Sequence, residues 1–268
     1  MVDKYAVSLR LIYPQWQAGN DPGHHFGSQL LAWLSPATDG PVESVHVETR
    51  ESRYASSDAI SSGNEALRQH VRLARSIINE HAPDRIVTLG GDCSSDLAPI
   101  AYLNERYEGE LAVLWIGAES AGPGDRDLPC VQVMEELMGV ACGNFACAIK
   151  RPLKAGNLMF LGAANARIDQ LGIRQVNAQA LTASHAAVLQ WFRSTGARQL
   201  AIHLELPALH FTPESGSAEC LSSAQILPLL RDLSAAADVV GLCVSEYLPR
   251  EVLALRDLLA ELPLIARR

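Results

Sequence analysis

Four short segments of the chain carry acidic, thiol or imidazole side chains, which are groups that hold cations or move protons. They are Gly90–Ser94 (Gly-Gly-Asp-Cys-Ser), Gly117–Ala121 (Gly-Ala-Glu-Ser-Ala), His203–Pro213 and Ser245–Glu246. Carboxylate, thiolate and imidazole donors suit transition-metal ions, and the same groups serve as general acids and bases. Each segment follows a short apolar run, so each is expected to lie at the end of a strand.

The first segment supports two interpretations. Its glycines suit a tight turn between a strand and a helix, in which Asp92 hydrogen-bonds the loop. Alternatively, Cys93 ligates a metal or acts as a nucleophilic thiolate, because a helix N-terminus lowers the pKa of a thiol. Ser94 and Ser95 stand beside it, but no His–Asp pair can be assigned to them, which argues against a serine hydrolase.

The remainder of the chain predicts alternating strands and helices. The predicted strands are Tyr5–Ile12, Arg85–Leu89, Leu111–Ile116, Asn157–Leu161, Gln199–Leu206 and Val239–Val244, with a weaker one at Glu43–Val47. The predicted helices are Phe26–Leu34, Asn64–His81, Asp96–Tyr107, Val131–Met138, Ser184–Ser194, Ser222–Ala236 and Pro249–Glu261. Ser184 and Ser222 are predicted to be N-caps, and Pro249 to stand in a first helical turn.

Two of these elements carry strong patterns. The second predicted helix has its apolar residues on one face: Leu67, Val71, Ala74 and Ile78. The run Leu111–Ile116 is apolar at every position, which is typical of a strand in a parallel sheet covered by helices on both faces. The alternation therefore predicts a three-layer α/β/α sandwich in one domain, residues 1–268. Ligands of such sheets bind beyond the carboxyl ends of the strands, so the loop Gly117–Pro129 is expected to be an active-site loop.

The amino-acid composition limits the classes of binding partner that are expected for this chain. The 268 residues include 22 Lys and Arg against 30 Asp and Glu, a net charge of −8. Without a strongly basic stretch, nucleic acids and anionic membranes are not expected partners. No apolar run approaches the roughly 20 residues of a bilayer span, and no secretory signal is recognisable at the N-terminus. The six cysteines form no C-x-x-C pair, so reduced thiols and a cytoplasmic location are expected.

Taken together, the strand-end segments resemble the motifs of the ureohydrolases, the family of arginase, agmatinase and formiminoglutamase. Ile86–Ser94 resembles the family motif Gly-Gly-Asp-His-Ser, and Trp115–Ala121 resembles Asp-Ala-His-x-Asp. His203–Pro213 occupies the place of Asp-x-Asp-x-x-Asp-Pro, and Glu246 that of a late Glu near the cationic end of the substrate. The resemblance covers nearly the whole chain and is that of a divergent bacterial branch with degenerate metal-binding motifs.

This resemblance implies a fold and a chemistry. The family fold is an α/β/α sandwich on an eight-stranded, mainly parallel sheet, and family members assemble as trimers or hexamers. The family reaction is hydrolysis of a guanidinium or formimino C–N bond by hydroxide that bridges two Mn²⁺ ions. A pair of hard Mn²⁺ ions needs several carboxylates and imidazoles to offset four positive charges.

The positions of the six family ligands are occupied very differently in this chain. They are held by Cys93, Gly117, Glu119, Ala121, Glu205 and Pro207. Glycine, alanine and proline have no side chain that coordinates a metal, and the position of Gly117 should supply a bridging carboxylate. The resemblance therefore implies that the dimanganese centre is absent, and no cofactor is predicted.

Two functions follow as alternatives, and whether the chain is an enzyme stays open between them. The first is a non-catalytic pseudoenzyme that binds a small cationic ligand or a protein partner, as a homo-oligomer or with an active homologue. The second is a hydrolase of guanidino-type C–N bonds with one Zn²⁺ or Mn²⁺ on Cys93, Glu119 and Glu205. In that case His203 or His210 could replace a lost ligand.

Several of these residues also have plain structural roles open to them. His203 and Glu205 share one face of their strand, which suits either metal ligation or a hydrogen-bonded pocket wall. Glu246 is expected either to meet a cationic ligand group or to form an ion pair with Arg250. His24 is expected on an exposed rim, and a purely structural subunit remains a third alternative.

Overall fold

The computed structural model describes residues 7–48, 59–117, 129–140, 149–210 and 220–266. Its strands are β1 (Ser8–Tyr13), β2 (Val42–Ser44), β3 (Arg85–Gly90), β4 (Leu111–Ile116), β5 (Leu158–Leu161), β6 (Arg174–Val176), β7 (Gln199–Glu205), β8 (Leu209–His210), β9 (Leu221–Ser222) and β10 (Asp238–Ser245). Eight of them form one sheet in the order β2-β1-β3-β10-β7-β4-β5-β6, and β8 pairs with β9 separately. Every neighbouring pair is parallel, so all carboxyl ends of the large sheet lie along the same edge.

Helices cover both faces of this sheet. They are α1 (Gly23–Leu34), α2 (Ala59–His81), α3 (Leu97–Arg106), α4 (Pro129–Leu137), α5 (Ala166–Gln170), α6 (Ala178–Ala183), α7 (Ala186–Thr195), α8 (Ser223–Ala236) and α9 (Val252–Leu259). The buried residues of α1 and α6–α9 belong to one hydrophobic cluster, and those of α2–α5 belong to another. The predicted three-layer α/β/α sandwich is thus confirmed. None of the described helices has the length and apolar character that a bilayer span requires.

The two strongest sequence patterns explain how the layers pack. All six residues of β4 are buried, and they alternate between the two clusters, with Leu114 in one and Trp115 in the other. The four apolar residues predicted to share a face of α2 are all buried in the second cluster: Leu67, Val71, Ala74 and Ile78. Burial of such side chains contributes roughly 1.5–3 kcal/mol each. The two patterns therefore favour a buried central strand at β4 and a covering helix at α2.

The structure corrects some details of the predicted elements. Ser222 caps α8 as expected, and its N–H donates to Gln225 Oε1 at 2.7 Å. Ser184 follows α6, and the residue directly before α7 is His185, but Ser184 Oγ accepts the N–H of Ala186, the first residue of α7, at 3.0 Å. The last helix begins at Val252 rather than at Pro249. The strands β6, β8 and β9 and the helices α5 and α6 were not predicted, because elements of two to six residues are too short to show a period.

Candidate functional site

Residues of all four strand-end segments meet at the middle of the carboxyl edge of the large sheet. Of the segment Gly117–Ala121, the structure describes only Gly117. Cys93 follows β3, Gly117 follows β4, Glu205 ends β7, and Glu246 follows β10. These strands are the four central neighbours β3-β10-β7-β4. Cys93, Glu205 and Glu246 therefore lie close together at the carboxyl edge. Glu119 and Ala121, and the loop from 118 to 128, lie outside the described residues.

The turn after β3 is tightly hydrogen-bonded, and Asp92 is its anchor. One carboxylate oxygen accepts from the backbone N–H groups of Ala18 and Gly19 at 2.9 and 3.1 Å. The other accepts from the N–H and hydroxyl of Ser94 at 3.0 and 2.5 Å. A Cβ at Gly91 would lie 1.8 Å from the carbonyl oxygen of Gln15. Asp92 thus holds the turn and the loop after β1 together, as the structural interpretation of this segment predicted.

Cys93 begins a 3₁₀ turn directly behind this anchor. Its side chain is fully buried and free of any disulfide. Burial raises the pKa of the Cys93 thiol well above its ordinary value, and the negative charges of Glu246, Asp92 and Glu205 raise it further. The expectation that a helix N-terminus lowers the pKa of this thiol is therefore wrong, because burial and three carboxylates outweigh the helix. An unassisted thiolate nucleophile at Cys93 is not supported.

Two glutamates flank this thiol. Glu205 is buried, and its Oε1 accepts a hydrogen bond from Trp115 Nε1 at 2.8 Å. Glu246 is half-buried and has a left-handed backbone with φ of 61°, and its N–H donates to the Gly91 carbonyl at 2.6 Å. One carboxylate oxygen of each glutamate and the Sγ of Cys93 all lie within 4.8 Å of one another. This group of three is called the Cys93 cluster below.

Gly117 is closely packed on the side where a side chain would project. A Cβ at this position would lie 2.8 Å from Cε2 of Phe160 and 2.9 Å from Oε2 of Glu205. Real Cβ contacts are essentially never that short, so any side chain here requires the ring or the carboxylate to move. Pro207, at another predicted ligand position, stands in the 3₁₀ turn Leu206–Ala208 after β7. Neither residue brings a donor atom to the site.

His203 belongs to a different, sealed group beneath the Cys93 cluster. Its Nδ1 lies 3.1 Å from Asp96 Oδ2, and its Nε2 lies 3.2 Å from Ser245 Oγ and 3.7 Å from Glu205 Oε1. The imidazole stacks on Trp115 with the ring centroids 3.7 Å apart. Burial raises the pKa of Asp96, and the hydrogen bond to His203 partly offsets the rise. His203 is therefore hydrogen-bonded within the wall of the site, and with Asp96 and Cys243 it forms a second buried group of possible metal donors.

The order carboxylate–imidazole–hydroxyl in Asp96, His203 and Ser245 is that of a hydrolase triad. Ser245 is 0% exposed, however, so no substrate reaches its hydroxyl. Sequence reasoning missed Asp96, Ser245 and Trp115 as partners. Only the register of the sheet could have pointed to Ser245, because it pairs Ser245 on β10 with Glu205 on β7.

A cavity of about 440 Å³ opens beside the Cys93 cluster. Glu246 lines it together with Leu206, Pro207, Leu209, Cys220, Tyr247, Leu248, Arg250 and Glu251. Within this lining, the phenol of Tyr247 donates to the Arg250 carbonyl at 3.0 Å. Among the ion pairs of the described residues there is none between Glu246 and Arg250, so the alternative in which Arg250 neutralises Glu246 is wrong.

The sequence also singles out two other histidines. His210 lies in β8 and is not grouped with Cys93 among the described donor residues. His24 is buried rather than exposed, since the N-terminal part of α1 packs against the loop after β1 and against Tyr247. A Cβ at Gly27 in this helix would lie 1.8 Å from the Tyr247 carbonyl oxygen, and a Cβ at Gly19 would lie 3.5 Å from His24 Nδ1.

Searches of sequence-based family models and of curated proteins find no match for this chain. Solved structures do match. Arginase from Bacillus subtilis has a TM-score of 0.71 at 16% identity, with 98% of this chain and 99% of that chain covered. Entamoeba histolytica arginase in complex with L-ornithine has a TM-score of 0.74 at 12% identity, covering 97% of each chain. Proclavaminate amidino hydrolase from Streptomyces clavuligerus has a TM-score of 0.62 at 18% identity, covering 95% of this chain and 87% of that one. The predicted resemblance is confirmed in three dimensions: the chain has the fold of the arginases along nearly its whole length.

Proposed function

We propose that this chain is a non-catalytic arginase-fold protein that has lost the dimanganese centre and holds a small, positively charged ligand. The ligand occupies the cavity beside Glu246, and its cationic group lies over the Cys93 cluster. Hydrolysis of a C–N bond is not its function, because the pair of metal ions that would generate the attacking hydroxide has too few ligands.

The observation that carries this proposal is the packing at Gly117. The position that should supply a bridging carboxylate has no side chain, and Phe160 and Glu205 lie 2.8 and 2.9 Å from where its Cβ would be. Phe160 and Glu205 thus lie where a side chain at position 117 would project, so no room is left there for another donor atom. Together with Pro207 and the thiol of Cys93, this leaves a donor set that does not fit two hard Mn²⁺ ions.

The cavity and its charge support a small cationic ligand. A volume of about 440 Å³ lies within the usual range for small-molecule sites, roughly 300–1,000 Å³. Its lining is largely apolar, and the Glu246 carboxylate is among the lining groups. A carboxylate next to a buried thiol and a second carboxylate favours an amine or guanidinium group, which forms charge-assisted hydrogen bonds.

Two measurements test the proposal. With added Mn²⁺, we expect no release of urea or amine from arginine, agmatine, formiminoglutamate or guanidinobutyrate, and turnover of any of them would contradict it. In calorimetry, agmatine is the probe of cation binding. We expect Glu246→Gln to weaken agmatine binding at least about tenfold, the loss of one charge-assisted contact. Glu110→Gln, an exposed acid beside the amino end of β4, is the matched control and should bind agmatine like the parent.

One observation favours a second candidate function, a metal-dependent hydrolase with a single ion. The donor atoms of Cys93 and Glu205 lie within 4.8 Å of each other and of Glu246, so part of the alternative ligand set is assembled. Metal-dependent turnover of a guanidino compound that is lost in both Cys93→Ser and Glu205→Gln would establish this candidate in place of the first.

A further inference from the structure

We infer that the outward face of α1 is a contact surface for a second copy of this chain, with the two copies related by a two-fold axis. The surface consists of Phe26, Leu30 and Trp33 and is called the α1 stripe below. The inference goes beyond the proposed function, because it concerns assembly of the chain and uses none of the residues of the ligand cavity.

The α1 stripe leaves large apolar side chains in contact with solvent. Phe26 is 56% exposed and Trp33 is 78% exposed, and they are the only exposed aromatic side chains among the described residues. Leu30 lies between them and is partly buried against the cluster that α1 shares with α6–α9. Residues spaced i, i+4 and i+7 lie on one side of a helix. A grouped apolar surface of this kind marks an interaction site, whereas single exposed apolar residues do not.

The opposite face of α1 is fixed on the sheet. Ser28 is fully buried, and its hydroxyl donates to the Leu89 carbonyl of β3 at 2.7 Å. At Gly27 the helix approaches the Tyr247 carbonyl so closely that a Cβ would lie 1.8 Å from its oxygen. The helix therefore cannot rotate to bury Phe26 and Trp33.

The charge of α1 favours a second copy of this chain. None of the 12 residues of α1 is Asp, Glu, Lys or Arg, although the chain has a net charge of −8. Two copies with this charge repel each other, and the repulsion is weakest where the facing surfaces carry no charge. Protein interfaces are likewise depleted of charged residues and enriched in aromatic ones at their centre. A membrane fits this helix less well, because helices that bind membrane surfaces carry Lys or Arg on their polar face.

The spacing of the α1 stripe suits a two-fold contact. Phe26 and Trp33 are seven residues apart, which is roughly 10 Å along a helix. In a two-fold contact, residue i of one copy meets residue j of the other, and j meets i. When two α1 helices cross antiparallel near Leu30, Phe26 of each copy therefore faces Trp33 of the other. Both aromatic pairs and the two Leu30 side chains become buried together.

The area of the α1 stripe is that of an interface centre. A large aromatic side chain buries about 150–250 Å², so the exposed parts of Phe26 and Trp33 supply roughly 200–300 Å² per copy. A standard interface buries about 800 Å² per partner. The helix α9 packs against α1 and exposes Val252 and Leu253 in its first turn, which adds apolar surface to the same layer. A few central aromatic residues commonly carry most of the binding free energy of an interface.

A two-fold contact of this kind has a distinctive effect on the size of the assembly. A trimer closes through a contact between two different surfaces, whereas the α1 stripe meets a copy of itself. The contact therefore joins two single chains into a dimer, or two trimers into a hexamer. Its loss halves the mass of the assembly in either case.

Sedimentation of the full chain under reducing conditions tests the inference. We expect Trp33→Lys to halve the mass of the assembly and to weaken the self-association at least about tenfold. Val140→Lys is the matched control, because it places the same charge on another apolar side chain that is 59% exposed, and it should keep the mass of the parent. Both changes are at exposed positions, so the circular dichroism of both variants should equal that of the parent.

Cross-linking locates the contact independently of mass. Gln29 is exposed beside Leu30, near the place where the two-fold axis would pass. A short thiol-specific cross-linker should join two copies of Gln29→Cys. This product should be absent from the parent and should be lost when Trp33→Lys is added to Gln29→Cys.

Several results would overturn the inference. A parent chain that sediments as a single chain at every concentration would have no such contact. Equal masses of the parent and Trp33→Lys, an equal loss in Val140→Lys, or the absence of the Gln29→Cys product would each place the contact elsewhere. Binding of the parent, but not of Trp33→Lys, to phosphatidylcholine vesicles would assign the α1 stripe to a membrane. None of these results bears on agmatine binding, so the proposed function stands or falls separately.

Discussion

At the scale of single residues, Gly117 and Phe160 show how the protein packs around a glycine at a position where the family resemblance implies a metal ligand. In a site with clustered carboxylates and no metal, the like charges repel one another, and their burial carries a desolvation cost. Here the ring of Phe160 and the Glu205 carboxylate occupy the space beside Gly117, so an acidic side chain has neither room nor a favourable neighbour. The chemistry of the site is therefore set by packing as well as by the choice of donor atoms.

This argument predicts the effect of restoring the acid. Gly117→Asp should lower the free energy of unfolding by about 1–3 kcal/mol, the usual cost of overpacking, and should not restore binding of two Mn²⁺ ions. Denaturant unfolding and metal analysis measure the two effects. Gly156→Asp is the matched control, because nothing lies within 4 Å of a Cβ at that position. A Gly117→Asp variant that is as stable as the parent and binds two Mn²⁺ ions would contradict the packing argument.

His203 predicts a second residue-scale effect. His203→Leu leaves Asp96 and Ser245 without their imidazole partner in a fully buried place. Leaving a buried polar group without its hydrogen-bond partner costs about 1–3 kcal/mol, and this loss is measured by denaturant unfolding. The control is His81→Leu, which removes an imidazole that is partly exposed and paired with Glu43 at 3.0 Å, and such surface pairs contribute about 0–1 kcal/mol. Equal losses in the two variants would show that the buried network is not stabilising.

At the scale of elements, the loop between β1 and α1 connects the site to α2 and to the segment after β2. Gln15 Oε1 lies 2.9 Å from His70 Nδ1 on α2, and Trp16 Nε1 donates to the Glu48 carbonyl at 3.0 Å. The same loop accepts the Asp92 N–H through the Gln15 carbonyl at 2.7 Å. This loop therefore links α2 and the segment after β2 to the turn that carries Cys93.

The histidines at this junction predict how stability depends on pH. Burial lowers the pKa of His70; the charge of Glu48 opposes this shift, and His46 adds to it. Burial and His46 also lower the pKa of His25, although its hydrogen bond to the Val47 carbonyl opposes the shift. Protonation therefore favours the unfolded chain. The stability that these histidines contribute is fully present above pH 6.5, the pKa of a histidine in the unfolded chain. It is lost as the pH falls below that value.

The test is urea unfolding at pH 7.5 and pH 5.5. His70→Asn keeps a donor for Gln15 but cannot be protonated, so the loss of stability between the two pH values should be smaller than in the parent. His185→Asn replaces a partly exposed histidine on the other helical layer and should leave the loss unchanged. If His70→Asn loses as much stability on acidification as the parent, buried histidines do not cause the effect.

At the scale of the whole molecule, the parallel sheet is what assembles the site. The order β3-β10-β7-β4 brings together residues from four distant parts of the chain, and the parallel direction places all of them at one edge. An open α/β sheet offers its ligand site at this edge, and the cavity beside Glu246 lies there. The candidate site therefore depends on the order and the parallel direction of these four strands.

Assembly is a prediction at this scale. By resemblance to the ureohydrolases we expect a homo-oligomer, a trimer or a hexamer, or a mixed assembly with an active homologue. Light scattering on the purified chain checks it, and a mass equal to the single chain of 28.9 kDa would contradict the homo-oligomer. Co-expression with an active homologue, followed by purification through a tag on one of them, checks the mixed assembly.

The sequence by itself determined the strands and helices that have a strong period, and the chemical character of each strand end. Both are local properties: β4 is apolar at every position, α2 repeats its apolar residues once per turn, and neither Gly117 nor Pro207 has a side chain that can coordinate a metal. The resemblance to the arginases followed from the same local segments, and the common fold bears it out. The short strands had too few residues to show a period.

Only the tertiary structure decided which of these residues meet. Strand order and register are set by long-range packing, and no local pattern encodes them. They place Glu246 beside Cys93 and Glu205, Ser245 beside His203, and the ring of Phe160 where a ligand at Gly117 would project. The pKa of Cys93 is a tertiary property for the same reason, because burial and three carboxylates from different strand ends outweigh the turn in which the thiol stands.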